Sequence, residues 1–291
     1  MESNNIIEII SMTINTIFSN LFSSIDNELY GIIDDIIFID KDIITDSHFE
    51  NIIGSNASGG ILLICNALII GFILYYGISL LFSHLTFSEI IRPSAFIFRI
   101  IIFSILLNFS PFICEMLIDL ISNISLAIRS IGESLFNKEI CFSSLIQELN
   151  NIISVNNTDF NLFSLNGLLK GFISISLLNL ILTYSLRYIM IKIFTLLAPF
   201  AFLTLFLHNT KWFFNTWLKA YLSLLFMQIL ISLILVITFS FNFSSNDLLS
   251  KVLILGSIYA IIKANTFIKE LMGGISTEIS LNINKLRSGS L

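Results

Sequence analysis

Carboxylates are missing from a long stretch of this chain: between Asp159 and Asp247 there is no Asp or Glu, although Lys170, Arg187, Lys192, Lys211 and Lys219 punctuate it. A secondary transporter usually needs an ionisable acid or a paired charge within the membrane, so this gap counts against ion-coupled solute transport. Charge of either sign is scarce, with 12% of residues charged against 55% hydrophobic and a mean hydropathy of +0.90. Too little polar surface remains to cover a soluble globule of 291 residues, so lipid must cover the rest. No G-x-x-x-x-G-K-[ST] occurs, which excludes ATP hydrolysis by a P-loop. His48, His84 and His208 stand apart from one another and the three cysteines lack zinc-ligand spacing, so no metal site, no cofactor and no catalytic residues are expected, and the chain does not read as an enzyme. Cys65 and Cys114 could be linked, but free thiols shielded by lipid are the expectation for Cys65, Cys114 and Cys141.

What is present is a set of apolar runs long enough to cross a bilayer, each needing about 20 residues. The first runs from about Gly60 to Phe82 and the second from about Ser94 to Cys114, joined by a loop with Glu89, Arg92 and Pro93. Glu115 to Asn166 is mixed in character, contains the polar run Asn156 to Asp159, and reads as a loop with its own helices. A third span starts near Gly167 and passes Arg187 to about Lys192. Ile193 to Leu207 is apolar but short, and Pro199 interrupts it. A final hairpin comprises about Phe213 to Phe239 and Leu248 to Ile268, turning through Phe241 to Asp247.

The N-terminal stretch lacks the basic start of a secretory signal and is amphipathic instead. On a helical wheel Ile6, Ile7, Ile10, Ile14, Ile17, Phe18, Leu21, Phe22 and Ile25 share a face opposite Glu8, Thr16, Ser19, Ser23 and Asp26. Two readings stand: a helix on the membrane surface or a partner, and a core helix of a small soluble domain. The polar face carries no Lys or Arg, which argues against attraction to anionic lipid.

Basic residues favour the cytoplasmic ends of spans. Before Arg92 the only Lys or Arg is Lys41, against Asp26, Glu28, Asp34, Asp35, Asp40, Asp42, Asp46 and Glu50. With the N-terminus outside and a broken or re-entrant segment around Pro199, every basic cluster falls on the inner side, including Lys269, Lys285 and Arg287. The expected fold is therefore all-α, a polytopic membrane protein with about five transmembrane helices, N-out and C-in. Its expected regions are an extracytoplasmic amphipathic region at 1–58, a first transmembrane hairpin at 59–114, an extracytoplasmic helical loop at 115–166, a C-terminal transmembrane core at 167–270 and a cytoplasmic tail at 271–291. Within spans, Asn66, Asn108, Asn179 and Gln228 are placed to hydrogen-bond between helices. Arg99 can snorkel inward, Gly167 and Gly171 form a GxxxG, and Trp212, Trp217 and Tyr221 read as an interfacial aromatic anchor.

One stretch carries a resemblance. Arg187-Tyr188, then Pro199-Phe-Ala201-Phe202 some ten residues later, then a short basic loop with Lys211 leading to Trp217, resembles the VirB6/TrbL family of polytopic inner-membrane subunits in type IV secretion and conjugation machines. The likeness covers the C-terminal half. Family members often have Ser before the Pro and a second Trp after the first, where Ala198 and Leu218 stand here. The resemblance implies a multi-pass subunit of the bacterial cytoplasmic membrane, oligomeric within its complex, that works with other secretion subunits and their ATPases. It would help form a path for single-stranded DNA or protein. A secondary transporter or other permease is the alternative.

Overall fold

The computed structural model describes residues 2–54, 59–86, 93–153, 164–206, 210–241 and 248–272, and among these every regular element is a helix. They are α1 (Glu2–Ile37), a 3-10 turn (Lys41–Ile43), α2 (Ser47–Ile53), α3 (Ile61–Thr86), α4 (Pro93–Asn108), α5 (Ser110–Phe136), α6 (Phe142–Ile153), α7 (Leu165–Thr204), α8 (Lys211–Phe239) and α9 (Leu248–Met272). Five of them are long and apolar enough to cross a membrane: α3, α5, α7, α8 and α9. The protein is thus a polytopic α-helical membrane protein. The amphipathic N-terminal helix is present, as are α3 and the α8–α9 hairpin over nearly the residues their apolar runs indicate. The turn at 242–247 and the tail from 273 onward lie outside the described residues.

Two spans differ from the expected layout. The run from Ser94 to Cys114 is not one helix: α4 is only 16 residues long and stops at Asn108, and the crossing-length helix is α5, which extends through the first part of what reads as a loop. Proline causes the division. Pro111 has no N–H to give the carbonyl of Leu107, and the hydroxyl of Ser110 takes that carbonyl instead at 2.7 Å. Pro111 then sits in the first turn of α5, where a missing N–H costs nothing. The polar residues that disguise α5 are spread around an amphipathic helix whose inner face is apolar or small: Cys114, Ile118, Ile121, Ser125 and Gly132 are all buried.

The second difference is α7, which does not break. It is one helix of 40 residues, with Pro199 inside it, so the apolar stretch after Lys192 is the helix's own C-terminal end and no separate re-entrant piece exists. At 1.5 Å per residue it is about 60 Å long, twice the roughly 30 Å hydrocarbon core. Pro199 forfeits one backbone bond and is tolerated because Ala198, Ala201, Phe202 and Leu203 around it are buried against neighbouring helices.

Cross-helix pairs fix the helix directions. Phe194 meets Trp217 while Arg187 meets Leu224, so α7 and α8 are antiparallel. The hydroxyls of Ser125 and Ser232 are 2.6 Å apart, and a Cβ on Gly132 would lie 2.9 Å from Val236, so α5 follows the direction of α8. Tyr184 donates to the carbonyl of Ile261 at 2.8 Å, and Lys251 to Asn166 at 3.3 Å, so α9 follows α7. Helix α8 is the central element, buried at Ala220, Leu224, Met227, Ile231 and Leu235. Two apolar cores lie along it. One gathers the 3-10 turn, α2, α3 and the facing halves of α5, α7 and α8; the other gathers the end of α1 with α6, α9 and the remaining halves of α7 and α8.

Among the described side chains, helix α1 docks through Phe22, Ile33 and Ile37. Phe22 is buried and packs beside Gly171, where an added Cβ would lie 3.5 Å from its ring, an ordinary contact, so the second glycine of the GxxxG is not required for the approach of α1. Ile33 and Ile37 are fully buried beyond it, whereas Met12, Ile17 and Leu21 stay exposed.

Candidate functional site

Apart from Lys211, the residues singled out by the C-terminal motif fall at or beside the α7–α8 seam, at two levels. At the first, Phe202, Phe214, Trp217 and Tyr221 form an aromatic stack: the Trp217 ring lies 5.8 Å from Phe202, 5.7 Å from Phe214 and 5.4 Å from Tyr221, the last nearly parallel. Trp217 and Tyr221 are four residues apart and so share a helix face. Their polar ends are satisfied inside the protein, Trp217 Nε1 donating to the Phe194 carbonyl at 2.9 Å and the Tyr221 hydroxyl lying 3.1 Å from that of Thr195. Pro199, Ala201 and Phe202 are buried in the same core. The expected interfacial anchor is corrected here: Trp212 is exposed, but Trp217 and Tyr221 are core residues, because the face they occupy meets α7.

At the second level Arg187 is completely buried, midway along α7. It is thus held inside the helix bundle and is not a charge exposed at the end of a span. Its Nε donates to the Leu224 carbonyl at 2.8 Å, one terminal nitrogen to the Ile37 carbonyl at 2.8 Å, and the other to Gln228 Oε1 at 3.4 Å. Gln228 Oε1 also accepts from the backbone N–H of Ile39 at 3.1 Å. A buried cation is costly unless its protons are taken up. Here neutral acceptors do so, helped by the negative end of the α1 dipole, since Ile37 is the last residue of that helix. One guanidinium therefore ties α1, α7 and α8 together. Tyr188 is half-buried, and Lys192 lies over its ring at 5.5 Å and over that of Phe49 at 5.6 Å. The acidic N-terminal region and the Arg187–Lys192 stretch thus meet at one level of the bundle, where the basic-residue pattern alone would separate them.

A second polar joint flanks this one. Asp34 accepts from the backbone N–H groups of Phe142 at 2.7 Å and Ser143 at 3.0 Å, and from the Ser143 hydroxyl at 2.6 Å, capping α6 from the end of α1. Arg129 of α5 stacks over Phe38 at 3.8 Å. Lys138 and Glu148 form an ion pair beside α6. Asp34→Ala is expected to fray α6 and cost about 1–3 kcal/mol, because the lost bonds are charge-assisted. Hydrogen exchange at Phe142 to Leu149 checks this, with Asp34→Asn losing less; unchanged protection would remove the capping role.

Of the amides expected to bridge helices, Asn66 and Asn108 exchange reciprocal bonds of 3.0 and 3.1 Å between α3 and α4, Gln228 joins the Arg187 joint, and Asn179 is exposed. The three cysteines are free and buried. His208 lies outside the described residues. Lys211 opens α8 and is exposed, apart from both levels of the seam. Nothing in the local sequence pattern marks Asp34, Ile37 or Ile39 as site residues, because their partners are distant in the chain: Phe142 and Ser143 for Asp34, Arg187, 150 positions away, for Ile37, and Gln228 for Ile39. No family model, curated protein or solved structure matches the chain.

Proposed function

We propose that this chain is an integral-membrane core subunit of a type IV secretion or conjugation machine, seated in the bacterial cytoplasmic membrane, where it helps form the path for DNA or protein. The observation that carries the reading is the α7–α8 seam. The residues resembling the VirB6/TrbL motif are largely a packing and tethering system: Phe202 and Trp217 lock the two long helices, and Arg187 fixes the N-terminal helix to them. A scaffold needs such joints. The seam's polar groups are spent on internal bonds, which fits a subunit that positions partners better than one that binds a solute. The lack of carboxylates from Phe160 to Asn246 supports the same choice over a transporter. Energy would come from separate ATPases.

The test is deletion and reconstitution. Loss of the chain should abolish intercellular DNA or protein transfer without altering growth on any nutrient, and the tagged protein should co-purify with other membrane subunits and an ATPase. In liposomes it should move no solute down an ion gradient. Normal transfer in the deletion strain, or solute uptake by the isolated chain, removes the proposal.

A further inference from the structure

A cleft of about 370 Å³ opens between α4 and the α7–α8 turn, lined by Phe98, Arg99, Ile102, Phe103, Leu205 and Lys211. Among the described residues its walls are apolar, its charged groups are two cations from different helices, no carboxylate lines it, and neither Arg99 nor Lys211 has an ion-pair or hydrogen-bond partner. Both side chains are exposed, so neither charge is consumed by the fold. Lys211 is the first residue of α8, which sets the positive end of that helix beside it.

The position matters as much as the charge. Leu205 caps the C-terminal end of α7 and Lys211 begins α8, both crossing-length helices, so the cleft lies at one end of this helix pair. Phe98 and Ile102 lie on the surface of α4 beside Arg99, 64% and 37% exposed, offering an apolar strip next to the cations. Trp212, next to Lys211, is 66% exposed, as suits a ring at the headgroup level. Paired cations beside an apolar strip match an amphiphile with an anionic phosphodiester head and acyl chains. A solute anion would use the cations but leave the strip uncovered.

We propose that this cleft binds the headgroup of an anionic phospholipid, with Arg99 and Lys211 on the phosphate and an acyl chain along Phe98 and Ile102. The reading needs only a membrane-embedded chain and is independent of the secretion assignment. Bound lipid would brace α4 against the α7–α8 turn, a contact bridged otherwise by side chains such as Phe103 and Phe206, whose rings are 6.5 Å apart.

The protein, solubilised in a neutral detergent, is titrated with phosphatidylglycerol or phosphatidylcholine, and bound lipid is counted by native mass spectrometry. Wild type should retain phosphatidylglycerol in preference to phosphatidylcholine. Arg99→Gln and Lys211→Gln should each weaken it about fivefold, and the pair about 25-fold, at roughly the contribution expected per basic residue at a membrane surface. Lys219→Gln, a loss of charge elsewhere on α8, should leave binding unchanged. Each single variant is read separately, so an unfolded double variant does not decide the matter. Equal retention of both lipids, or of phosphatidylglycerol by wild type and both single variants, overturns the proposal. Displacement of the lipid by millimolar inorganic phosphate also overturns it, by making the cleft a small-anion site.

Discussion

Arg187→Leu is expected to release the end of α1 from the bundle and to lower stability by about 2–4 kcal/mol. Removing the guanidinium leaves the Ile37 carbonyl unmatched inside the protein, at about 1–3 kcal/mol, and the shorter side chain gives up the packing of a fully buried arginine; Gln228 Oε1 keeps the Ile39 N–H as its partner. Loss of a buried charge works the other way, since leucine needs no desolvation, and this keeps the figure moderate. Lysine is not a conservative replacement. An ammonium is a single point of charge on a flexible stem and cannot fork toward α1 and α8 at once, so Arg187→Lys should lose most of what leucine loses. This reverses the order that an interfacial charge would give, where lysine would be nearly neutral. Thermal unfolding in detergent reads the stability change, and trypsin cleavage after the exposed Lys41 reads the release of α1. A double cycle with Gln228→Leu should show coupling between the two residues. Additive effects and unchanged cleavage would mean that Arg187 does not tether α1.

The contrast between Arg187 and the apolar runs explains what was legible in the sequence. α3 and α8 are nearly uniform apolar stretches bounded by polar residues, and α9, though it carries Lys251 and Lys263, is set off by the polar turn before it. α5 is as apolar as α9 over a crossing length, with a mean hydropathy of 1.6 against 1.5, but Glu115, Asp119, Arg129 and Glu133 along it make it read as a loop, although one helix can carry such residues when its inner face is small or apolar. At Pro199 and Pro111 the same residue type reads identically but acts differently. Pro111 falls at a helix start and divides α4 from α5, whereas Pro199 lies inside a segment whose packing outweighs one lost bond. The motif's position was legible but its roles were not. Trp217 and Tyr221 sit near basic residues, which suggests a membrane interface, yet their four-residue spacing turns both rings toward α7. Nor can charge placement foresee that a cation's partner is a backbone carbonyl contributed by a distant helix end.

Trp217→Ala should produce the largest loss of any single change on the seam, about 3–5 kcal/mol, the usual range for deleting a buried large aromatic. Trp217 is 3% exposed and stands between Phe202 of α7 and Phe214 and Tyr221 of its own helix, so truncation opens a cavity at the α7–α8 contact. Trp217→Phe keeps much of the stack and gives up the bond to the Phe194 carbonyl. That carbonyl retains its place in the helix ladder, so the cost should be nearer 1 kcal/mol. Intrinsic fluorescence separates the two tryptophans, because Trp212 is 66% exposed and Trp217 is not. In wild type a water-soluble quencher should reach one of the two, and in Trp217→Phe nearly all remaining emission should be quenchable. If Trp217→Ala lowers the unfolding temperature no more than Trp217→Phe, the seam is not held by this ring. If Trp217→Phe is as stable as expected yet transfer between cells is lost, the indole serves assembly with partners beyond its packing. Equal loss of stability and transfer in the alanine variant would instead trace the defect to separation of α7 from α8.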